Sequence, residues 1–495
     1  MATTFTPYTT AADLFGTKPQ WVPMVLDQER LQSYQLYEEM YWNVPDVFKV
    51  SLRGTNTLPI YVPSARTIVD TTHRFTGAGF GVIAFDRETG KPSNDSQAAL
   101  VALQDLFRRE RFKSKNNANR RYGIMRGDAI WHVTGDLAKA EGSRITFTTL
   151  DPGMYFPITD PNDVDRILGV HLVEYIETAD GPRIRRLTYR KVPRSDGLNT
   201  ITVEEGLFEV DKWGKPDAVA KTVLRPPTPL PNDITSIPVY HIRNYEEPGN
   251  PFGSSELRGL ERLMGAVNQT MSDEDLALAL EGIGMYATDG SEPIDKATGK
   301  PTTWKLGPGR VVHTDGTFFN RVGGVSGLGD SYGEHYNRLW EALKQASGTP
   351  DVAIGRVDVS VAESGIALAL QLGPMLAKAS EKNTLLIDVM TQMMFDVVNM
   401  WMPAYEQTSF DGVGVDCVVG DAVPVDRKAR FAELNDMLDR GVIDTEYYRT
   451  ECTKLGYVFP DDIGPRAERE FSARNQDQFA DRVATESGDD DEPTA

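Results

Sequence analysis

Cysteine is almost missing from this chain: Cys417 and Cys452 are the only two in 495 residues. They show no metal-ligand spacing, and a reducing cytosol is the default compartment, so no structural bridge is expected. Long apolar runs are lacking too. The most apolar helical stretch, Leu276 to Met285, is interrupted by Glu281 and falls well short of the roughly 20 residues a bilayer span needs. No basic-then-apolar leader follows Met1, so neither export by that route nor a membrane span is expected. Positive charge is in deficit, with 52 Lys and Arg against 72 Asp and Glu and a formal net charge of -20. That balance excludes a generally basic exterior built to grip nucleic acid, while leaving room for a local basic patch.

Recognisable catalytic spacing is also scarce. His73, His132, His171, His241, His313 and His335 are scattered, with no pair at helical metal-ligand spacing. No Gly-x-Ser-x-Gly elbow occurs, and neither cysteine has a histidine nearby in sequence. Gly324-Val325-Ser326-Gly327-Leu328-Gly329 sits between a strand and a helix but lacks the lysine and hydroxyl residue that complete a nucleotide loop. In Gly77-Ala78-Gly79-Phe80-Gly81 a helix precedes the glycines and a strand follows, the reverse of a dinucleotide site. Asp273-Glu274-Asp275 reads as a solvated helix face, because adjacent acids on a helix diverge. No metal, no cofactor and no enzymatic activity are expected. Catalytic groups can still converge from distant segments, which keeps a carboxylate-dependent hydrolase as the alternative.

What the chain does have is long amphipathic helices. They are expected over Ser254 to Glu281, Ser331 to Ser347 and Ser360 to Met402, the first opened by Ser254 as N-cap and the last by a Ser360/Glu363 capping box and bent at Gly373-Pro374. At ~1.5 Å per residue the first is ~40 Å long and the last approaches ~60 Å. Between the first two, Thr302 to Leu306, Arg310 to Thr314 and Thr317 to Val322 read as strands turned at Gly307-Pro308-Gly309 and Asp315-Gly316. So small a module cannot bury Trp304, Leu306, Val311, Phe318 and Phe319 alone, and identical neighbours in a ring would cover them.

Upstream, helices are expected over Leu26 to Trp42, Pro63 to Phe75 and Ser96 to Phe112, with Lys113-Ser114-Lys115-Asn116-Asn117 breaking the pattern before Arg120 to Val133. From Ile145 the period becomes two: Ile145 to Leu150, Ile167 to Tyr175, Arg183 to Lys191, Asn199 to Glu204 and Leu207 to Val210 read as strands. Proline-rich 226–231 reads as a linker or a surface wrap closing this α+β region. Asp426 to Arg440 and Thr445 to Leu455 form two short helices, and 477–495 is a disordered acidic tail. The one basic concentration, Arg108, Arg109, Arg111, Lys113, Lys115, Arg120, Arg121 and Arg126, reads as a subunit-pairing surface ahead of a nucleic-acid contact.

Pro251-Phe252-Gly253-Ser254-Ser255-Glu256-Leu257 entering one long helix and Glu363-Ser364-Gly365-Ile366-Ala367-Leu368 entering another resemble the portal proteins of tailed bacteriophages, those of long, non-contractile tails most of all. Arg121-Tyr122-Gly123, Gly127-Asp128-Ala129 and Leu150-Asp151-Pro152 look similar too. The resemblance implies a wing at 1–250, stem helices at 251–282 and 331–347, and a clip at 283–330. It further implies a tunnel loop at 348–360, a long bent helix and return to the wing at 361–425, and a crown at 426–476. It implies a closed ring, usually a dodecamer, at one capsid vertex of the virion, assembled in the host cytoplasm, through which double-stranded DNA is packaged and ejected. Terminase, then head-completion or adaptor proteins, and the capsid and scaffolding proteins would be its partners. Asp351, Arg356 and Asp358 are the candidate loop side chains near DNA, with Val352, Ile354, Val357 and Val359 packing the loops together. A non-channel virion adaptor or scaffold is a third reading.

Overall fold

Helical and alternating segments interleave along the chain, and the fold is accordingly α+β. The computed structural model describes residues 24–51, 58–179, 181–209, 222–231, 233–283, 285–288, 294–295, 297–300, 319–322, 328–356, 365–420, 427–443 and 445–454. Two units partition the chain, Met1–Ala422 and Val423–Ala495.

In the first unit, helices Met24–Tyr41 (α1) and Ser64–Phe75 (α2) precede strand Gly81–Asp86 (β1), and helices Asn94–Arg109 (α3) and Phe112–Arg126 (α4) lead into strand Asp128–Gly135 (β2). Strands Ile145–Leu150 (β3), Tyr155–Asp160 (β4), Asp163–Thr178 (β5), Gly181–Pro193 (β6), Asn199–Glu209 (β7), Thr222–Pro229 (β8) and Val239–Arg243 (β9) follow. Then come helix Glu261–Ile283 (α5), strands Met285–Thr288 (β10) and Phe319–Val322 (β11), helix Leu328–Ser347 (α6), helix Gly365–Asp396 (α7) running on into π-helical Val397–Glu406, and strand Val413–Val418 (β12). The strands make an antiparallel meander ordered β4-β5-β6-β7-β8, a smaller sheet β3-β2-β9, and the pairs β1-β12 and β10-β11.

Burial explains where elements start and stop. In α2, Ala65, Ile68, Val69 and Thr72 are buried at helical spacing behind Pro63, whose missing N–H costs nothing at a helix start. Strand β2 lies between β3 and β9 and is buried on both faces for most of its length. Trp131 on it stacks on Phe112 at 5.0 Å between ring centroids, and Phe112 stacks on Phe107 at 4.3 Å. These rings join Phe147, Trp401, Met393 and Val397 in the larger apolar cluster. A second cluster gathers Tyr37, Met40, Ile68, Ile124, Met264 and Leu343. Helix α4 serves both, with Phe112 at one end in the first and Ile124 and Met125 near the other in the second.

Several expectations are corrected. The first long helix begins at Glu261, not Ser254. Ser254 does not cap it, because its hydroxyl donates to Glu247 Oε1 at 2.7 Å and 256–259 form a separate turn. The helix ends by 283, and Met285–Thr288 becomes a strand paired with Phe319–Val322, Met285 opposite Val322. The expected strands at 302–306 and 310–314, with Trp304, Leu306, Val311 and Phe318, lie outside the described residues; Phe319 opens β11. The break expected at 113–117 falls earlier, at Arg111, which takes a left-handed φ of 53°, and α4 runs straight through. Phe112 gives the reason: its ring is 3% exposed, so the chain turns where it must deliver that ring to the core. The block Arg120 to Val133 splits at Gly127 into helix and strand.

Asn199–Glu209 is one strand rather than two, and Val210 lies outside the described residues. The proline-rich stretch is no linker: 222–229 pairs antiparallel with β7, Thr202 opposite Pro229, as the edge of the meander, where prolines lose few ladder bonds. The third long helix is described from Gly365, so its Ser360/Glu363 capping box lies outside the described residues, and α7 stays helical through Pro374.

In the second unit, Arg427–Asp439 (α8) and Thr445–Lys454 (α9) match the two expected helices. Tyr448 donates to Asn435 Oδ1 at 2.7 Å, and Leu434 and Cys452 are fully buried. The acidic tail lies outside the described residues.

Candidate functional site

The motifs that were far apart in sequence meet at one polar junction. Arg126, the last residue of α4, is 5% exposed and holds Asp151 through Nη1 at 2.7 Å and Glu38 of α1 through Nη2. Asp128, which opens β2 and is 1% exposed, accepts from Gly253 N at 2.7 Å and Tyr34 OH, and faces His241 Nε2 at 2.6 Å. Burial, then the Asp128 charge, pushes the Tyr34 phenol well above its ordinary value, so it stays a donor.

Close backbone passage requires glycine here. Gly127 has φ 110°, and a Cβ on it would stand 2.7 Å from Gly253 O, while one on Gly253 would stand 2.3 Å from Gly127 O. The two segments also bond directly, Asn244 N donating to Gly127 O at 2.8 Å and Glu256 N to Ile124 O at 3.1 Å. Arg30 of α1 reaches in from the side, donating to Pro152 O at 2.9 Å with its guanidinium 4.1 Å from the Phe252 ring centroid.

Glu256 carries the junction to α7. Its carboxylate, 3% exposed, lies 2.7 Å from Lys378 Nζ and 2.9 Å from Lys382 Nζ. Burial alone would raise the Glu256 carboxyl; the two ammonium groups outweigh it and leave it below its ordinary value. Lys382 also donates to Asn244 Oδ1 at 2.7 Å and sits 3.4 Å from the centroid of Tyr245. Burial brings its ammonium down to about 8 against the pull of Glu256. Lys378 donates to Ser347 O at 2.8 Å, so a cation meets the carbonyl end of α6, where the helix dipole favours it. One carboxylate therefore ties the 256–259 turn, the end of α6 and the middle of α7 together.

The residues expected in the 348–360 loop are placed only in part. Asp351, Val352 and Ile354 lie in a single 3₁₀ turn, Asp351–Ile354, ended by Gly355 at φ 86°. Asp351 does not stand free: its carboxylate pairs with Lys344 of α6, which also holds Glu341. Val352 and Ile354 are half-buried and Arg356 is exposed; Val357, Asp358 and Val359 lie outside the described residues.

The basic segment is largely turned to the chain's own fold. Lys115 donates to Phe147 O at 2.5 Å, Arg109 to Ile145 O at 3.0 Å and Arg120 to Thr76 O, while Arg121 lies 3.6 Å from Asp70. Sequence reasoning assigns no role to Lys378 and Lys382, although their signal is there: both fall on the stripe of α7 that also carries buried Met375, Ala379 and Leu386. A lysine on a buried stripe needs a carboxylate. Among the described residues no cluster of three or more His, Cys, Asp or Glu stands ready for a metal ion, and no helix is long and apolar enough to cross a membrane.

No family model matches the chain. No curated protein matches it either. Among solved structures, it is similar to the neck of a native GTA particle computed with C12 symmetry. The two share 13% identity with a TM-score of 0.42, over 79% of this chain and 89% of the other. At that score the superposition does not establish a shared fold.

Proposed function

We propose that this chain is a portal protein of a tailed bacteriophage: a ring, dodecameric by family habit, at one capsid vertex of the virion, through which double-stranded DNA passes. The observation that carries the reading is the order α5, β10 paired with β11, α6, a 3₁₀ turn and then α7. It follows stem, clip, stem, tunnel loop and long helix as the sequence resemblance implies, and α5 and α6 pack against each other as a stem would. The convergence of the resemblance motifs on Asp128, Glu256 and Arg126 supports it further.

On this reading β10 and β11 belong to the clip, where Phe319 and its apolar neighbours meet the next subunit in a head-to-tail contact. The chain catalyses nothing itself; terminase supplies the work, and head-completion proteins later dock at the clip. The net charge of -20 suits a channel that must release DNA as readily as it admits it, since tight phosphate contacts would stall passage.

Negative-stain images of the purified full chain test the ring. A ring with an axial hole is expected; a discrete monomer would overturn the proposal in favour of an enzyme, and a solid assembly in favour of an adaptor. Deleting Val352 to Val359 tests the loop: assembly should survive while DNA packaging or retention fails, and normal packaging would reject the tunnel assignment.

A further inference from the structure

A groove between the 77–82 segment and helices α3 and α4 departs from the composition of the rest of the chain. It encloses about 1030 Å³. Arg108, Arg111, Lys113 and Arg120 line it, and among its described lining residues there is no Asp or Glu, in a chain whose net charge is -20. Its floor is apolar, formed by Phe80, Val82, Leu100, Phe107 and Phe112.

The groove is built rather than incidental. Gly77 has φ 62°, and a Cβ there would stand 2.0 Å from Arg120 Nη1, so only glycine lets that guanidinium lie across the backbone and donate to Thr76 O. Arg120 Nε is buried without a hydrogen-bond partner, and so is the Oδ1 of Asn116, a lining residue that is 4% exposed. Arg111 and Lys113 are exposed at the rim, and the exposed Arg108–Asp105 pair at 3.0 Å is readily exchanged for another carboxylate.

We propose that this groove docks a short acidic peptide segment of a partner protein, one that carries an aromatic or aliphatic anchor. Its carboxylates meet Arg108, Arg111 and Lys113, and its apolar side chain covers Phe80 and Phe107. Single-stranded nucleic acid offers anionic groups too, but the surrounding negative field repels a long polyanion more than a peptide with a few carboxylates. The apolar floor likewise rewards an anchor side chain. This inference stands apart from the ring: it concerns one groove of one chain.

The test is fluorescence anisotropy of the full-length protein with a fluorescein-labelled peptide bearing glutamates around one phenylalanine. Saturable binding is expected, weakened by added salt, by replacing the peptide's phenylalanine with alanine, and by about tenfold in the Arg111→Ala, Lys113→Ala double variant, which corresponds to about 1.4 kcal/mol for the two rim charges together. Gln104→Glu, an exposed lining change that leaves the core alone, should weaken binding independently. Absence of saturable binding to the unaltered protein, binding unchanged in these variants, or tighter competing binding of an oligothymidylate would overturn it.

Discussion

Lys382 Nζ lies 2.9 Å from Glu256 Oε2, with both side chains 3% exposed, and Glu256 shares its other oxygen with Lys378. The three charges are unequal in what they contribute. Glu256 is the anion for two buried cations, so Glu256→Gln leaves both uncompensated and should cost about 3–5 kcal/mol in urea or guanidinium unfolding. Lys382→Met leaves the Glu256–Lys378 pair intact but takes the donor from Asn244 Oδ1, and should cost about 1–3 kcal/mol, less than Glu256→Gln. Equal losses for both would show that the second lysine is as necessary as the first.

The same lysine gives a pH signature. Burial holds its folded value at about 8 against an ordinary 10.5, so between those values the unfolded chain keeps a proton the folded chain has lost. Stability contributed here rises with pH across that window and is lowest below it. Unfolding midpoints from pH 7.5 to 10 should show the rise, and Lys382→Met should flatten it.

Asp396 should behave in the opposite sense. It is fully buried at the end of α7, accepting from Ser236 Oγ at 2.6 Å, Tyr240 OH at 2.8 Å and Gln392 Nε2 at 2.7 Å. Burial raises its carboxyl above 3.8 despite those donors, so its contribution to stability is greatest below that value and is lost as pH rises through the raised one. Asp396→Asn still accepts from Ser236 and Tyr240, and Gln392 can turn its amide so that its oxygen accepts from the new NH2; the variant should remove that fall and cost about 1 kcal/mol or less at neutral pH. A loss several times larger would mean the charge itself is needed.

Gly127→Ala should be among the most damaging single-atom additions. The left-handed φ and the Gly253 carbonyl 2.7 Å from the new Cβ act together, and roughly 3 kcal/mol is expected. Gly90→Ala, also at positive φ (67°) but with nothing within 4 Å of its Cβ, isolates the conformational part and should cost about 1 kcal/mol. Parallel melts of the two variants separate strain from collision.

Both thiols should be silent in the native protein. Cys417 is 3% exposed with its thiol pushed up to about 12 by burial, and Cys452 is fully buried. A thiol-reactive chromophore at pH 8 should register two groups only after denaturant is added. Prompt reaction of either in the native protein would contradict that burial.

Much of the fold was legible wherever one face of an element is buried. The spacing of Tyr34, Tyr37 and Met40 marked α1, and Ile145 to Leu150 emerged as β3 because alternation is the direct result of a half-buried strand. The misreadings share a physical origin. Ser254 has the chemistry of a cap, but Glu247 and Asn244 engage the same segment and hold it as a turn. Prolines 226, 227 and 229 argued against a strand, but only a central strand needs every N–H. For the junction, the glycine and acidic motifs were visible while their convergence was not. Asp128 and Gly253 are distant in sequence, and only the sheet β3-β2-β9 brings them together.

Helix α4, anchored by Phe112 in one apolar cluster and by Ile124 and Met125 in the other, leaves neither cluster free to melt alone. Amide protons of β2 and α2, though they belong to different clusters, should exchange through the same opening event, which makes this part of the molecule a single cooperative foldon.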